Sequence, residues 1–299
     1  MFLRNHYQRL TRTSWHLGFV NRGLQGVFHD DPLDVSWVKC PYKDRWFADP
    51  FILDVTDEKI LVLAEEVRYK NPKGRIVKLT IDRESLAIEK RETLLETETH
   101  LSFPNIYRHE GRVFISPENA QEGKQHLYEY DLGSGELRFV QTICEDCVWD
   151  ATITDVFGGN LLMFASHKND YSLDIYEWND EVKRFVSMRS IPSKERNSRM
   201  GGAIFSFDGK YYAPFQNCSR TYGGNLDIKT IQFENDEFSF STVKKLFSPH
   251  PKYKEGLHTL NEYKGFVIID VIGYNSYMGR FVSGLVKVGK YIFGRGKTR

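Results

Sequence analysis

A pattern that restarts about every fifty residues constrains this chain more than any single motif. Its first copy runs Arg45-Trp46-Phe47-Ala48-Asp49-Pro50-Phe51-Ile52-Leu53, turns, and returns as Ile60-Leu61-Val62-Leu63-Ala64-Glu65-Glu66. One acid introduces the first apolar strand, and two acids end the second. Buried strands favour apolar residues, so ionisable groups at both ends are not there for packing. Gly74 to Ile81 alternates as a third strand, and Ala87 to Leu95 reads as a charged fourth strand, with helix the alternative there.

The unit begins again at Phe103, Trp149, Arg199 and His258, each time followed by a Gly- or Asp-containing turn and a second apolar strand. Corresponding positions are Pro50, Pro104, Ala151, Gly201 and Thr259, separated by 54, 47, 50 and 58 residues. The long amphipathic helices that a doubly wound fold needs between its strands are missing. A period near fifty with about four strands per unit is the spacing of propeller blades. The expectation is therefore an all-β, five-bladed β-propeller. Its expected layout is one domain over 1–299, with a lead-in over 1–44, blades over 45–275 and a basic tail over 276–299. The lead-in is broken by Asp30-Asp31-Pro32 and Cys40-Pro41, and is expected to pack on the body and supply one strand.

Composition excludes some partners. The 41 basic and 40 acidic residues leave a net charge of +1, so the basic excess of a nucleic-acid binder is absent. Cys144 and Cys147 form a lone C-x-x-C with no second pair, which argues for reduced thiols rather than a zinc site. The N-terminus lacks the apolar run of a signal peptide, and no stretch approaches the ~20 apolar residues of a spanning helix. A cytoplasmic protein is expected. Both ends are basic: Arg4, Arg9 and Arg12 at the start, and Lys287, Lys290, Arg295, Lys297 and Arg299 at the finish. They read either as two solvated tails or as a weak contact with an anionic membrane face, peripheral to the inner surface.

Innermost strands of a propeller line its channel, so residues at their ends converge. Asp49, Glu118 and Asp150 are the candidate catalytic carboxylates. Glu66, His100, Arg199, Gln216, Arg220, Tyr222, His258 and Asp270 are the candidate substrate-binding residues, with Glu65 the alternative to Glu66. Glu65, Glu118 and Gln216 follow Pro50, Pro104 and Gly201 by 15, 14 and 15 residues, which supports a common location. Carboxylates mixed with His, Arg, Gln and Tyr suit the hydroxyls and C–H faces of a sugar. Glycosidic cleavage uses two carboxyl groups, and crowding raises the pKa of one so that it supplies the acid. No metal-ligand spacing is present, and no metal or cofactor is expected, although His with carboxylates could ligate a divalent ion in the channel.

Six segments carry a resemblance: Phe47 to Phe51, His100 to Pro104, Ser116 to Asn119, Ser198 to Gly202, Gln216 to Gly223 and Gly256 to Leu260. In order, from about residue 46 to 272, they resemble the N-terminal domain of plant glucosamine inositolphosphorylceramide transferases and its free-standing bacterial relatives, often linked to surface-polysaccharide synthesis. More distantly, Ala48-Asp49-Pro50 and Asp150-Ala151 are similar to the aspartate blade starts of five-bladed glycoside hydrolases of families 43 and 32. The resemblance implies a five-bladed fold and a carbohydrate-linked role. Against the hydrolases, Asp49 matches the general base or nucleophile and Asp150 the transition-state stabiliser. Arg199 stands where the blade carrying the acidic glutamate opens, so the acid would be Glu118 or Glu66. Arg199, Arg220 and His258 would suit a phosphate. The expectation leans to an enzyme acting on a glycosidic or glycosyl-phosphate bond in bacterial surface-polysaccharide or glycoconjugate biosynthesis. Its partner would be a sugar, a nucleotide-sugar or a lipid-linked saccharide. The rival is a non-catalytic sugar-binding module serving a separate glycosyltransferase.

Overall fold

The computed structural model describes residues 11–283, apart from 168–170, 194–195, 277 and 280. Among these residues the strands form five antiparallel sheets, the blades of a propeller. Blade 1 runs from the channel outward through Arg45–Val55, Lys59–Arg68, Asn71–Asp82 and Ile88–Leu95. Blade 2 uses Ser102–His109, Arg112–Glu118, Gln125–Tyr130 and Leu137–Cys144. Blade 3 uses Val148–Thr154, Leu162–His167, Leu173–Asn179 and a fourth strand, Arg184–Ile191, which the sequence pattern does not announce. Only Phe185 of that last strand is buried, so no apolar alternation marks it.

Blade 5 differs from expectation. Its two inner strands are Gly256–Tyr263 and Phe266–Tyr274, but its two outer strands come from the start of the chain, Thr13–Val20 and Val35–Trp37. The lead-in thus supplies two strands instead of one. A short helix, Gly23–His29, connects them. Thr13–Val20 pairs with Phe266–Tyr274 over eight residue pairs and closes the ring. The basic positions Arg4, Arg9, Lys287, Lys290, Arg295, Lys297 and Arg299 lie outside the described residues.

The core lies in the seams between neighbouring sheets. Phe51, Phe103, Phe164 and Phe215, drawn from blades 1 to 4, are all at most 2% exposed and share one cluster. Each such side chain contributes roughly 1.5–3 kcal/mol by leaving water. At the lower end Arg108 lies 3.7 Å over the Tyr263 ring and donates to the carbonyls of Ile52 and Leu53, clasping blades 5, 1 and 2 together.

The inner strands share one irregularity that matters for the channel. The pairing slips between Ala48 and Phe51, Ser102 and Asn105, Trp149 and Thr152, and Leu257 and Leu260. Each slip is a β-bulge, which twists the strand and re-aims a side chain. Asp49, Phe103 and Asp150 sit at these slips with φ of 49°, 40° and 51°. Blade 4 goes further. Its inner strand breaks into Arg199–Met200 and Phe205–Phe207 around Gly201-Gly202. A Cβ on Gly202 would stand 2.0 Å from the Leu260 carbonyl oxygen, so only glycine lets the inner strands of blades 4 and 5 come this close.

Candidate active site in the channel

The bulges carry two linked clusters into the upper end of the channel. The first joins blades 5 and 1. Asp270 Oδ1 accepts the backbone N–H groups of His258 and Thr259 at 3.3 and 2.9 Å, and Asp270 Oδ2 accepts that of Asp49 at 2.9 Å. The His258 ring is held between two carboxylates, with Nδ1 2.8 Å from Asp270 Oδ1 and Nε2 3.5 Å from Asp49 Oδ1. The Thr259 hydroxyl stands 3.0 Å from Asp49 Oδ1 and 3.1 Å from Asp270 Oδ2, and gives its one proton to either. Asp49 Oδ2 accepts the Phe103 N–H of blade 2 at 3.1 Å. Trp15 stacks on the His258 ring at 3.7 Å.

Electrostatics here follow from burial. Desolvation pushes the Asp49 carboxyl up to about 7, against the pull of His258 and with added repulsion from Glu65 and Asp270. Burial opposes charge on His258, yet Asp270 and Asp49 outweigh it and hold the imidazole at about 9. Ligand atoms of Asp49, His258 and Asp270 lie within 4.8 Å of one another, close enough for a divalent cation. Both Asp270 oxygens already accept internal N–H donors, and the His258 ring lies between the two carboxylates.

The second cluster joins blades 2, 3 and 4. Arg199 Nε donates to Asp150 Oδ2 at 2.6 Å, and Gln216 Nε2 donates to the same oxygen at 3.0 Å and to the Met200 carbonyl at 2.8 Å. Gln216 Oε1 is buried with no hydrogen-bond partner among the described residues. Glu118 Oε2 accepts the Asp150 N–H at 3.0 Å and lies 4.0 Å from Arg199. Burial, then the charge of Asp150, lifts the Glu118 carboxyl well above the usual carboxylate range despite Arg199. The Arg199 guanidinium lies over Trp149 at 4.7 Å and Tyr222 at 5.3 Å. Tyr222 also sets its edge on His258 at 5.6 Å, so this half-exposed ring spans both clusters.

Of the residues singled out from sequence, the structure brings Asp49, Glu118, Asp150, Arg199, Gln216, Tyr222, His258 and Asp270 together. His100 stands at the side, its Nδ1 accepting the Gly74 N–H at 3.0 Å and its Nε2 meeting Glu65 at 2.9 Å. That Glu65 contact raises the His100 imidazole. Two expectations need correction. Glu66 points away from the channel into the blade 1 sheet, 0% exposed, where Arg75 and Arg91 bind it at 2.9 Å and Arg45 at 3.1 Å. Burial would raise this carboxyl, but Arg91 and Arg45 hold it below the usual range, so it cannot be an acid at neutral pH. Arg220 is exposed on the turn beyond the site. The reason for the first error is strand alternation: Glu65 and Glu66 face opposite sides, and only Glu65 faces inward. Trp15, Trp149 and Thr259 belong to the site without having been chosen for it. Trp149 and Thr259 adjoin chosen residues, whereas nothing local to Trp15 marks it.

Residues 35–264 match the family profile described as glucosamine inositolphosphorylceramide transferase 1, N-terminal. Among curated proteins, glucosamine inositolphosphorylceramide transferase 1 of Oryza sativa subsp. japonica is 24% identical over 202 residues, covering 64% of this chain and 27% of the relative. The Arabidopsis thaliana protein of the same name is 24% identical over 211 residues, covering 68% and 28%. The chain thus spans about a quarter of the length of these relatives. Among solved structures, a family 117 glycoside hydrolase from Zobellia galactanivorans superposes with a TM-score of 0.53 at 9% identity, covering 89% of this chain and 92% of that one. An α-L-arabinofuranosidase of glycoside hydrolase family 43 from Clostridium thermocellum gives 0.52 at 12%, covering 74% and 80%. At these identities the likeness is one of fold.

Proposed function

Because the chain belongs to the glucosamine inositolphosphorylceramide transferase N-terminal family, we propose that its channel acts on a glycosidic or glycosyl-phosphate bond during glycoconjugate synthesis. The observation that carries this reading is a division of labour among three carboxyl groups. Glu118, kept protonated by burial beside Asp150, is the general acid. One of its oxygens accepts the Asp150 N–H, which leaves the other for the proton. Asp49, poised at about 7 against a charged His258, is the base or nucleophile. Asp150, held in place by Arg199 and Gln216, faces a developing oxocarbenium ion as its stabilising carboxylate. The half-exposed Tyr222 ring suits a sugar face.

The test is turnover on a panel of glycosides, nucleotide-sugars and lipid-linked saccharides, with Asp49→Asn, Glu118→Gln and Asp150→Asn beside the parent. On the responsive substrate each variant should lose roughly a hundredfold or more. Intact turnover in all three would end the proposal. A second reading, a sugar-binding module working for a separate glycosyltransferase, draws on how fully Asp150 and Asp270 are already paired inside the protein. Sugar binding without turnover across the panel, unchanged in the three variants, would select it.

A further inference from the structure

Pairing within blade 5 brings the two end segments of the chain to one point. Thr13 stands opposite Tyr274, and the Asn275 N–H donates to the Arg12 carbonyl at 2.9 Å. The point lies at the upper end of the propeller. Tyr274 follows the channel residue Asp270 on one strand, and Trp15, stacked on His258, follows Thr13 on the other. Blade 1 braces it from the side: the Arg12 guanidinium lies 4.2 Å over the Tyr69 ring, and the Asn275 side chain donates to the Tyr69 hydroxyl at 3.0 Å.

Charge is uneven about this point. Residues 1–12 and 275–299, the segments that continue from it, hold nine Lys and Arg and no Asp or Glu, in a chain of 41 basic and 40 acidic residues. The upper loops beside it add Lys43, Lys70 and Lys254, each exposed and without an ion pair among the described residues. The acids on those loops are Asp44, tied to Arg45 at 2.7 Å, and the partly buried Glu255. Apolar groups stand out from the same place. A helical turn, in which the Val282 N–H donates to the Met278 carbonyl at 2.9 Å, puts Met278 and Phe281 on one face, 54% and 61% exposed. Exposed apolar side chains among cations are the chemistry of an interfacial segment: the apolar groups enter the acyl boundary, and Lys and Arg meet lipid phosphates.

We propose that this edge of blades 5 and 1 docks on an anionic lipid surface, with Met278 and Phe281 in the interface and the basic segments and loops on the headgroups. Each basic residue near such a surface tightens binding about fivefold, an effect that salt screens. The docking edge is separate from the channel residues, so it stands or falls independently of the reaction proposed there.

The full chain is sedimented with vesicles of equal parts phosphatidylcholine and phosphatidylserine, and with vesicles of phosphatidylcholine alone. At ~0.1 M salt it should bind the mixed vesicles at least tenfold more tightly, and that preference should fall at least tenfold at ~1 M. Two multiple variants, Met278→Ser with Phe281→Ser, and Lys43→Glu with Lys70→Glu and Lys254→Glu, change only exposed side chains. Each should weaken binding to the mixed vesicles at least tenfold. Equal sedimentation with the two kinds of vesicle overturns the inference, as does parent affinity in either variant. Binding to polyglutamate as tight as to the mixed vesicles, and untouched by the serine changes, would identify an acidic protein partner and equally overturn it.

Discussion

The Asp49 N–H donates to Asp270 Oδ2 at 2.9 Å, joining residues 221 positions apart. Around that bond, Asp49 titrates at about 7 and His258 at about 9. The charged pair, Asp49 ionised and His258 protonated, therefore exists between these values, which belong to the pair as a unit. Activity that uses the pair should follow a bell, falling below about pH 7 as Asp49 gains a proton and above about pH 9 as His258 loses one. A kcat/KM profile flat from pH 6 to 10 would contradict it.

Stability should respond to the same groups. A carboxyl raised in the folded state favours folding below its unfolded value, near 3.8, and that contribution is lost as pH rises through about 7. Asp49→Asn removes the cost of burying the ion. At pH 8 it should stabilise the protein by on the order of 1 kcal/mol, or about 2–4 °C in Tm, and the gain should vanish near pH 4. His258 has the same sign: its raised imidazole stabilises fully below about 6.5, and that is lost through about 9. Thermal unfolding across pH reads both.

Glu66 and Glu118 should part company when each is made a glutamine. Glu66→Gln strips the partner from Arg75 and Arg91, which are mostly buried, and should cost about 3–5 kcal/mol with unchanged activity per folded molecule. Glu118→Gln should fold normally and lose turnover. Urea denaturation beside an assay normalised to folded protein separates the two.

Gly223 has φ of 56°, and a Cβ there would stand 2.7 Å from His258 Cβ. Gly223→Ala should therefore lift the Tyr222 turn off the site. Activity should fall about tenfold or more if Tyr222 supplies the stacking face, while Tm moves by only a few degrees. Unchanged turnover would detach Tyr222 from the site's work.

Trp15→Ala should cost about 3–5 kcal/mol, because the indole is 8% exposed in the seam. Trp15→Phe keeps a ring against His258 and should recover most of that. NMR titration of His258 should show its pKa shifted in the alanine variant and near the parent value in the phenylalanine variant.

The five-bladed plan was legible because blades repeat and apolar strands alternate. Strand positions as far apart as Pro50 and Thr259 could be aligned from the chain alone. Asp49, Asp150 and His258 could be found because each sits at the same place in its repeat, where the bulge turns it inward. Choosing between Glu65 and Glu66 needed the sheet's facing, which two adjacent acids do not encode. The two strands donated to blade 5 were hidden for another reason. Their partners lie at the far end of the chain.

Closure by Thr13–Val20 has a temporal consequence. During synthesis Asp49 emerges more than two hundred residues before Asp270 and His258, and Trp15 waits still longer for the ring it covers. No partly made chain can hold the finished pair, however well its first four blades have folded. The paired carboxylates and imidazole of the candidate site are therefore assembled by the same event that makes the ring whole.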